Sequence, residues 1–222
     1  MSKKILQVDE LLCNISFCLG VVFDLDGTIL DSMQMWEELD RNYLNRFGIV
    51  IDESLHEEIK SMTLPMAAAY FKEKFNLPRD VDTIIKDIME MADNSYRNEL
   101  LLKENAGYIL KELHNQGKKI VIATANELEL VEHVLKRTGI DGYVDGCITC
   151  AMVGSNKEKP DIYYKACELM NISKDDCVVF EDSLYAIKTA KNADFYTIGV
   201  YDKAEESNWE SICEITNCQV VL

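Results

Sequence analysis

The sequence is poor in positive charge and has no long apolar run. Its 222 residues include 23 Lys and Arg against 39 Asp and Glu, a net charge of −16. Without a basic stripe, binding to nucleic acid or to an anionic membrane is not expected. No stretch approaches the roughly 18 apolar residues of a membrane span. Asp9, Glu10 and Asn14 interrupt the N-terminal apolar residues, unlike in a signal peptide. We expect a cytoplasmic protein and favour a monomer.

The cysteines lack the pattern of a complete metal site. Eight are present, and Cys147 with Cys150 forms a lone CxxC. A structural zinc site usually needs a second pair at similar spacing, and Cys213 and Cys218 do not match. Cys177 opens an apolar run, where cysteine behaves as a small hydrophobic residue. We therefore expect reduced packing cysteines, with zinc or redox roles as the minor alternative.

Hydrophobic periodicity divides the chain into two parts. Val21–Asp24 (VVFD) reads as a buried strand. From Met33 to Leu102 apolar residues recur at helical spacing, and after residue 103 short apolar strands alternate with helices. This pattern predicts an α/β fold, a Rossmann-like parallel sheet core with helices on both faces, plus an inserted α-helical cap domain. The predicted core is 1–32 and 103–222, and the cap is 33–102. The first twenty residues show only a weak helical stripe and are not placed.

Polar residues follow several of the predicted strands. Because ligands bind beyond the carboxyl ends of parallel strands, we expect these residues to share one rim. The set, in chain order, is Asp24, Asp26, Gly27, Thr28, Thr124, Ala125, Asn126, Lys157, Lys159, Glu181, Asp182 and Ser183. Asn126, with Glu129, is also predicted to cap the helix that follows it.

Crowded carboxylates repel one another unless a cation holds them. Hard carboxylate oxygens suit Mg²⁺, which keeps several waters and needs few protein ligands. Asp24, Asp182 and, as an open alternative, Glu181 are the predicted ligands, with a main-chain carbonyl near residue 26. The ion would orient a phosphate, and a lysine and a threonine hydroxyl beside it would hold the other phosphate oxygens.

Asp24 and Asp26 are two residues apart, so in extended backbone they point to the same side. One carboxylate could attack phosphorus. The other could protonate the leaving oxygen and then activate water. Gly27 permits the sharp turn that follows.

Four segments resemble, in order, the motifs of the haloacid dehalogenase superfamily, and the match spans about residues 20 to 200. They are Phe23–Ser32 (FDLDGTILDS), Ile122–Asn126 (IATAN), Lys157–Tyr163 (KEKPDIY) and Val179–Ala190 (VFEDSLYAIKTA). The helical insertion after the first motif resembles the small helical cap of that superfamily.

The resemblance implies a role for each residue at the rim. Asp24 would form an aspartyl-phosphate, and Asp26 would be the general acid and base. Thr124 and Lys157 would hold the phosphoryl group, and motif spacing favours Lys157 over Lys159. The implied Mg²⁺ ligands are Asp24, Asp182 and the Asp26 carbonyl. Glu181 is a ligand in some relatives and lies behind the ligands in others. The residues expected to bind substrate are Gly27, Thr28, Ala125 and Asn126.

The expected function is a Mg²⁺-dependent phosphatase that hydrolyses a small phosphorylated metabolite. Asp26 disfavours carbon–halogen and phosphonate chemistry. One alternative is a sugar phosphomutase that resembles beta-phosphoglucomutase. It is disfavoured because Met33–Leu39 (MQMWEEL) lacks the histidine that such caps usually offer. A catalytically silent binding module on the same fold is the other alternative. Two points stay open: whether Trp36 packs or contacts substrate, and whether the Lys60–Leu64 segment reaches over the site.

Overall fold

Seven strands in the described part of the chain form one parallel sheet. The computed structural model describes residues 5–51, 54–59 and 61–222. The strands are β1 (Ile5–Leu6), β2 (Gly20–Phe23), β3 (Lys119–Thr124), β4 (Gly146–Thr149), β5 (Cys177–Glu181), β6 (Tyr196–Val200) and β7 (Cys218–Val220). Their order is β1-β7-β6-β5-β2-β3-β4. The chain moves outward from β2 through β3 to β4 and returns on the other side of β2 at β5. Ligands bind at this kind of switch point.

Helices fill the segments between the strands. In chain order they are α1 (Val8–Asn14), α2 (Met33–Asn45), α3 (Ser54–Ile59), α4 (Leu64–Phe75), α5 (Val81–Asn98), α6 (Ala106–Asn115), α7 (Leu128–Thr138), α8 (Cys150–Val153), α9 (Asp161–Met170), α10 (Leu184–Asn192) and α11 (Trp209–Ile215). Short 3-10 helices cover Asp141–Tyr143, Lys174–Asp176 and Lys203–Asn208. Within the described residues, no helix combines the length and the apolarity needed to span a bilayer.

Alternate residues of the central strand β2 enter two different cores. Val21 and Phe23 pack in a cluster with residues of α1, α6 and α7, and the Phe23 ring stacks on Phe180 of β5 at 4.3 Å between centroids. Val22 enters the second cluster, which contains the buried side of α9. The sheet is thus covered on both faces, which is why its strands read as continuous apolar runs. The predicted fold class is confirmed.

Helices α2 to α5 lie between β2 and β3 in sequence. Helix α5 buries Ile84, Ile88, Ala92 and Tyr96, and it packs against α2, α4 and core helix α7. The segments that enter and leave this helical insertion, near residues 31 and 102, run side by side. The Asp31 main-chain N–H donates to the Leu101 carbonyl at 3.0 Å, and the Lys103 main-chain N–H donates to the Ile29 carbonyl at 2.9 Å. We propose that the boundary between core (1–32, 103–222) and cap (33–102) lies at these two segments.

Three local features differ from the sequence-based assignment. Ile5 and Leu6, which were not placed, form the edge strand β1 beside β7. A two-residue strand is too short to show periodicity, and its partner lies at the far end of the chain. Helix α3 was also not assigned. Finally, α7 begins at Leu128 with Glu127 at its N-cap, so the predicted capping role of Asn126 is wrong.

Candidate active site

The first acidic motif follows β2 directly. The Asp24 main-chain N–H donates to the Phe180 carbonyl at 3.0 Å, which extends the β2–β5 pairing by one residue. The Asp24 side chain is buried at the carboxyl end of the central strands. Gly27 then has φ +82°, a conformation that glycine adopts without strain. The Gly27 amide donates to the Leu30 carbonyl at 3.0 Å and closes the turn.

The second acidic motif lies opposite, at the end of β5. Asp182 is 1% exposed, and its Oδ1 accepts a hydrogen bond from the Thr28 hydroxyl at 3.1 Å. A side chain added at Gly27 would collide with the Asp182 carboxylate, since its Cβ would lie 2.8 Å from Cγ. The absence of a side chain at residue 27 therefore lets this carboxylate approach the turn.

Asp24, Glu181 and Asp182 form a candidate divalent cation site. Each offers one carboxylate oxygen, these oxygens lie within 4.8 Å of one another, and all three residues are buried. Asp182 Oδ2 is buried and has no hydrogen-bond partner among the described residues. A buried, unpaired carboxylate oxygen is costly unless a cation meets it. An all-oxygen donor set fits a hard ion such as Mg²⁺.

Lys157 joins two of these acids from the loop before α9. Its ammonium contacts Asp24 Oδ1 and lies 2.5 Å from Glu181 Oε1, and the side chain is 3% exposed. Tyr163 of α9 donates a further hydrogen bond to Glu181 Oε1 at 3.2 Å. Lys159, the alternative lysine, is exposed. The structure therefore brings Lys157, and not Lys159, to the acidic cluster.

The pKa shifts reflect burial of like charges. Burial raises the pKa of Asp24 to about 8, an effect that Lys157 opposes and Glu181 adds to. Burial, Asp24 and Glu181 together raise the pKa of Asp182 well above its usual range. Burial disfavours the Lys157 ammonium, but Asp24 and Glu181 outweigh it and raise its pKa. The protein alone therefore leaves negative charge insufficiently balanced here, as expected of a cation site.

Asp26 lies in a different environment, among hydrogen-bond donors. Its Oδ1 accepts hydrogen bonds from the Ser32 hydroxyl at 2.7 Å, from the Trp36 indole at 3.4 Å and from the Tyr96 hydroxyl. Its Oδ2 accepts a hydrogen bond from the side-chain amide of Asn126 at 3.1 Å. Two of these donors, Trp36 on α2 and Tyr96 on α5, belong to the helical insertion. The core acid is thus held partly by the cap.

Sequence reasoning missed Tyr96 in this network. Tyr96 continues the stripe of buried residues on α5, and it is fully buried. A buried tyrosine hydroxyl normally finds a partner, so its polar atom at the end of an apolar stripe was the available signal. Trp36, whose role the sequence leaves open, donates from its indole to Asp26 and lines the cavity.

The remaining predicted residues divide between the cavity and the turn. Thr124 ends β3, and its hydroxyl accepts a hydrogen bond from the main-chain N–H of Asn126 at 3.0 Å. Thr124, Ala125 and Asn126 line the cavity, whereas the Thr28 side chain bonds Asp182 and Gly27 lies against that same carboxylate. Substrate binding by Gly27, Thr28, Ala125 and Asn126 stays a prediction.

A cavity of about 170 Å³ lies between the rim and the helical insertion. Its lining consists of Asp24, Asp26, Met33, Trp36, Asp40, Ile59, Met62, Leu64, Ala67, Thr124, Ala125, Asn126, Lys157, Glu181, Ser183 and Tyr185. Met62 and Leu64 belong to the segment suspected of reaching over the site, whose Lys60 lies outside the described residues.

Cys147 and Cys150 lie near this cavity without lining it. Both thiols are free, and burial raises their pKa values, to about 12 and about 11. A raised pKa disfavours the thiolate that metal binding and redox chemistry need. This supports the packing role expected for them.

Comparison with known proteins identifies the family. Residues 21–200 match the model of the haloacid dehalogenase-like hydrolases, so the chain belongs to that family. A phosphorylated carbohydrates phosphatase from Thermotoga maritima is 26% identical over 176 residues, 78% of this chain and 81% of that protein. A pyrophosphatase from Listeria monocytogenes is 24% identical over 187 residues, 81% of this chain and 82% of that protein.

A solved structure shares the same fold. The crystal structure of CbbY from Rhodobacter sphaeroides, in complex with phosphate, has a TM-score of 0.78 and 20% identity, and the match covers 92% of this chain and 93% of that one. Together with the phosphatase names of the relatives, the family confirms the expected class of enzyme, a phosphoric monoester hydrolase.

Proposed function

We propose that this protein is a cytoplasmic, monomeric, Mg²⁺-dependent phosphatase that hydrolyses a small phosphorylated metabolite through an aspartyl-phosphate on Asp24. One observation carries the proposal: Asp24 lies both in the three-carboxylate cluster and against the Lys157 ammonium. A phosphoryl group at Asp24 would therefore meet a cation on one side and an ammonium on the other. Such paired positive charge stabilises a transferring phosphoryl group.

The first step transfers the phosphoryl group to the enzyme. An Asp24 carboxylate oxygen attacks phosphorus, the bond from phosphorus to the leaving oxygen breaks, and that oxygen takes a proton from Asp26. Lys157 and the Thr124 hydroxyl hold the non-bridging oxygens. Asp24, Asp182 and the Asp26 carbonyl, with Glu181 beside them, would hold Mg²⁺, which when bound would supply positive charge to the phosphoryl oxygens.

The second step releases the phosphate. Asp26, now a carboxylate, takes a proton from water, and the water oxygen attacks the phosphorus of the aspartyl-phosphate. The bond from phosphorus to Asp24 breaks, which returns the free carboxylate and inorganic phosphate. One carboxyl group thus acts as acid and then as base, the usual division of labour with a separate nucleophile.

The decisive experiment measures phosphate release from p-nitrophenyl phosphate with and without Mg²⁺. We expect turnover that EDTA abolishes and Mg²⁺ restores. Asp24→Asn should lose it by at least about 10³-fold, as expected when a nucleophile is removed. Asp175→Asn, an exposed acid on the core, is the matched control and should behave as wild type. Wild-type inactivity, or equal activity in Asp24→Asn, would remove the proposal and favour a silent binding module.

The mutase alternative predicts a different product. A mutase that moves a phosphoryl group between two hydroxyls passes through a bisphosphorylated species, which needs a second anion site. Among the described residues that line the cavity, Lys157 is the only lysine or arginine, and it contacts Asp24 and Glu181. Phosphorus NMR with a hexose 1-phosphate separates the two: we expect inorganic phosphate, whereas accumulation of the 6-phosphate would indicate a mutase.

A further inference from the structure

Among the described residues, the wall that the helical insertion contributes to the cavity is apolar except at one position. Its residues are Met33, Trp36, Ile59, Met62, Leu64 and Ala67, together with the single acid Asp40. This wall faces the part of the cavity that the leaving group of a phosphate ester would occupy, because the phosphoryl site is at Asp24 on the rim. The cap wall therefore meets the organic part of the substrate.

Asp40 is an unusual residue for such a wall. It lies on α2, one turn beyond Trp36, and no described residue donates a hydrogen bond to its carboxylate. Burial, and to a smaller extent Glu37, raise the pKa of Asp40 to about 7. A carboxyl group in an apolar setting is costly unless it finds a polar partner. Asp40 is only partly buried and lines the cavity, so solvent can reach its carboxylate in the free protein. A ligand that displaces this solvent must itself supply the polar partner.

We infer that Asp40 is a specificity-determining residue that accepts a hydrogen bond from a hydroxyl of the leaving group. The substrate class is then a small polyhydroxy compound carrying a single phosphate. The inference rests on the proposed phosphatase activity and extends it to the chemistry of the leaving group.

The charge of the described part of this wall disfavours a second class of substrate, one that carries two anionic groups. A bisphosphate or pyrophosphate would place its second anionic group beside Asp40, in a cavity whose described lysine already contacts Asp24 and Glu181. Like charges in a partly buried site repel strongly. The relatives include a phosphatase of phosphorylated carbohydrates and a pyrophosphatase. Asp40 favours the former kind of substrate for this chain.

The size of the cavity points the same way. Clefts for drug-sized ligands occupy roughly 300–1,000 Å³, whereas this cavity has about 170 Å³. Apolar side chains around one acid suit a short carbon chain with hydroxyl groups, because the CH groups contact the wall while one hydroxyl reaches Asp40.

The test compares kcat/KM across defined substrates. Wild type is assayed with p-nitrophenyl phosphate, with glycerol, pentitol and hexose monophosphates, and with pyrophosphate and fructose 1,6-bisphosphate. We expect at least one polyhydroxy monophosphate to exceed both doubly charged compounds by about tenfold or more, a usual size for discrimination by a polar contact.

Asp40→Asn then tests the residue itself. We expect the ratio of kcat/KM for the best polyhydroxy monophosphate to that for p-nitrophenyl phosphate to fall about fivefold. Asn keeps an acceptor oxygen but loses the negative charge that makes a hydrogen bond roughly twice as strong. The ratio of kcat/KM for that monophosphate to kcat/KM for fructose 1,6-bisphosphate should decrease as well. Glu38→Gln is the matched control, because Glu38 is an exposed acid on the same helix whose partner is Gln34, at 2.9 Å. Its ratios should equal those of wild type.

The outcomes separate this inference from the proposed phosphatase activity. Wild type that fails with every substrate contradicts the phosphatase itself. Wild type that hydrolyses p-nitrophenyl phosphate but no polyhydroxy monophosphate overturns the inference alone. So do unchanged ratios in Asp40→Asn, and so does a preference for the bisphosphate.

Discussion

The hydroxyl of Tyr96, on cap helix α5, donates a hydrogen bond to the carboxylate of Asp26, on the core loop after β2. The same hydroxyl accepts hydrogen bonds from the Trp36 indole at 3.2 Å and from the side-chain amide of Asn126 at 2.6 Å. Residues from two cap helices and two core loops thus meet at the proposed general acid. Seating the cap on the core and orienting Asp26 are therefore one structural event, as expected of a closing cap.

Replacing Tyr96 should impair catalysis through Asp26. In Tyr96→Phe we expect kcat for an alkyl phosphate to fall about tenfold, because a hydrogen bond to a charged group is lost. The loss should be smaller with p-nitrophenyl phosphate, whose leaving oxygen needs little protonation. Tyr108→Phe on α6, where the hydroxyl bonds the exposed Asp9 at 3.1 Å, is the control. Equal losses on both substrates would show that Tyr96 only supports the fold.

Magnesium should stabilise the protein more as the pH rises. The folded-state pKa values of Asp24, at about 8, and Asp182 are raised without metal. The contribution of these two carboxyl groups to the free energy of unfolding is fully present below their pKa in the unfolded chain, near 4. It is lost as the pH rises through about 8, where Asp24 ionises in the folded protein. We expect the Tm of the metal-free protein to fall between pH 5.5 and 8, and the Mg²⁺-induced rise in Tm to grow over that range.

Asp182→Asn tests the origin of that effect. Without metal this variant should exceed wild type in Tm at pH 8, because it removes a buried carboxylate whose Oδ2 has no partner in the described part of the chain. Its Mg²⁺-induced rise in Tm should nearly vanish. A Mg²⁺ response as large as that of wild type would place the ion elsewhere.

Glycine at position 27 should matter for two separable reasons. Gly27→Ala strains a positive φ and also pushes a Cβ toward Asp182. Gly117→Ala strains a similar φ of +74°, but no atom of the described residues lies within 4 Å of the added Cβ. Both variants should lose about 1 kcal/mol of unfolding free energy from the backbone. Only Gly27→Ala should also lose the Mg²⁺-induced rise in Tm, measured by thermal denaturation, and phosphatase activity.

Lys157 and Lys159 should differ sharply on substitution. Lys157→Met removes the ammonium between Asp24 and Glu181, and we expect kcat/KM to fall about 10²–10³-fold, the usual loss of one charge-stabilising donor. The Tm should also fall, since two buried carboxylates lose the ammonium that balances their charge. Lys159→Met changes an exposed residue and should match wild type in both assays. The reverse pattern would restore Lys159 as the phosphate-binding lysine.

Sequence patterns predicted the architecture because each depends on local chemistry. Apolar runs such as Val21–Phe23 mark strands buried on both faces, and helical stripes such as that of α5 mark amphipathic helices. The acids at residues 24, 26, 181 and 182 stood out because carboxylates at strand ends share a rim in a parallel sheet. The edge strand β1 was missed because two residues carry no periodicity.

What surrounds Asp26 could not be predicted in the same way. Asn126 looked like a helix cap, yet its amide reaches Asp26 and the Tyr96 hydroxyl. Tyr96 and Asp26 are seventy residues apart in sequence. The residues next to a tyrosine in sequence do not distinguish one that only packs from one that also donates a hydrogen bond from the helical insertion to the core.

The sequence by itself determined the parallel sheet, the helical insertion and which acids gather at one rim, because hydrophobic period and strand-end position are properties of neighbouring residues. Only the tertiary structure decided that Lys157 contacts Asp24, that cap residues hold Asp26, and that Asp40 lies in an apolar wall of the cavity. These contacts join residues distant along the chain, and they depend on how α2 and α5 pack over the sheet.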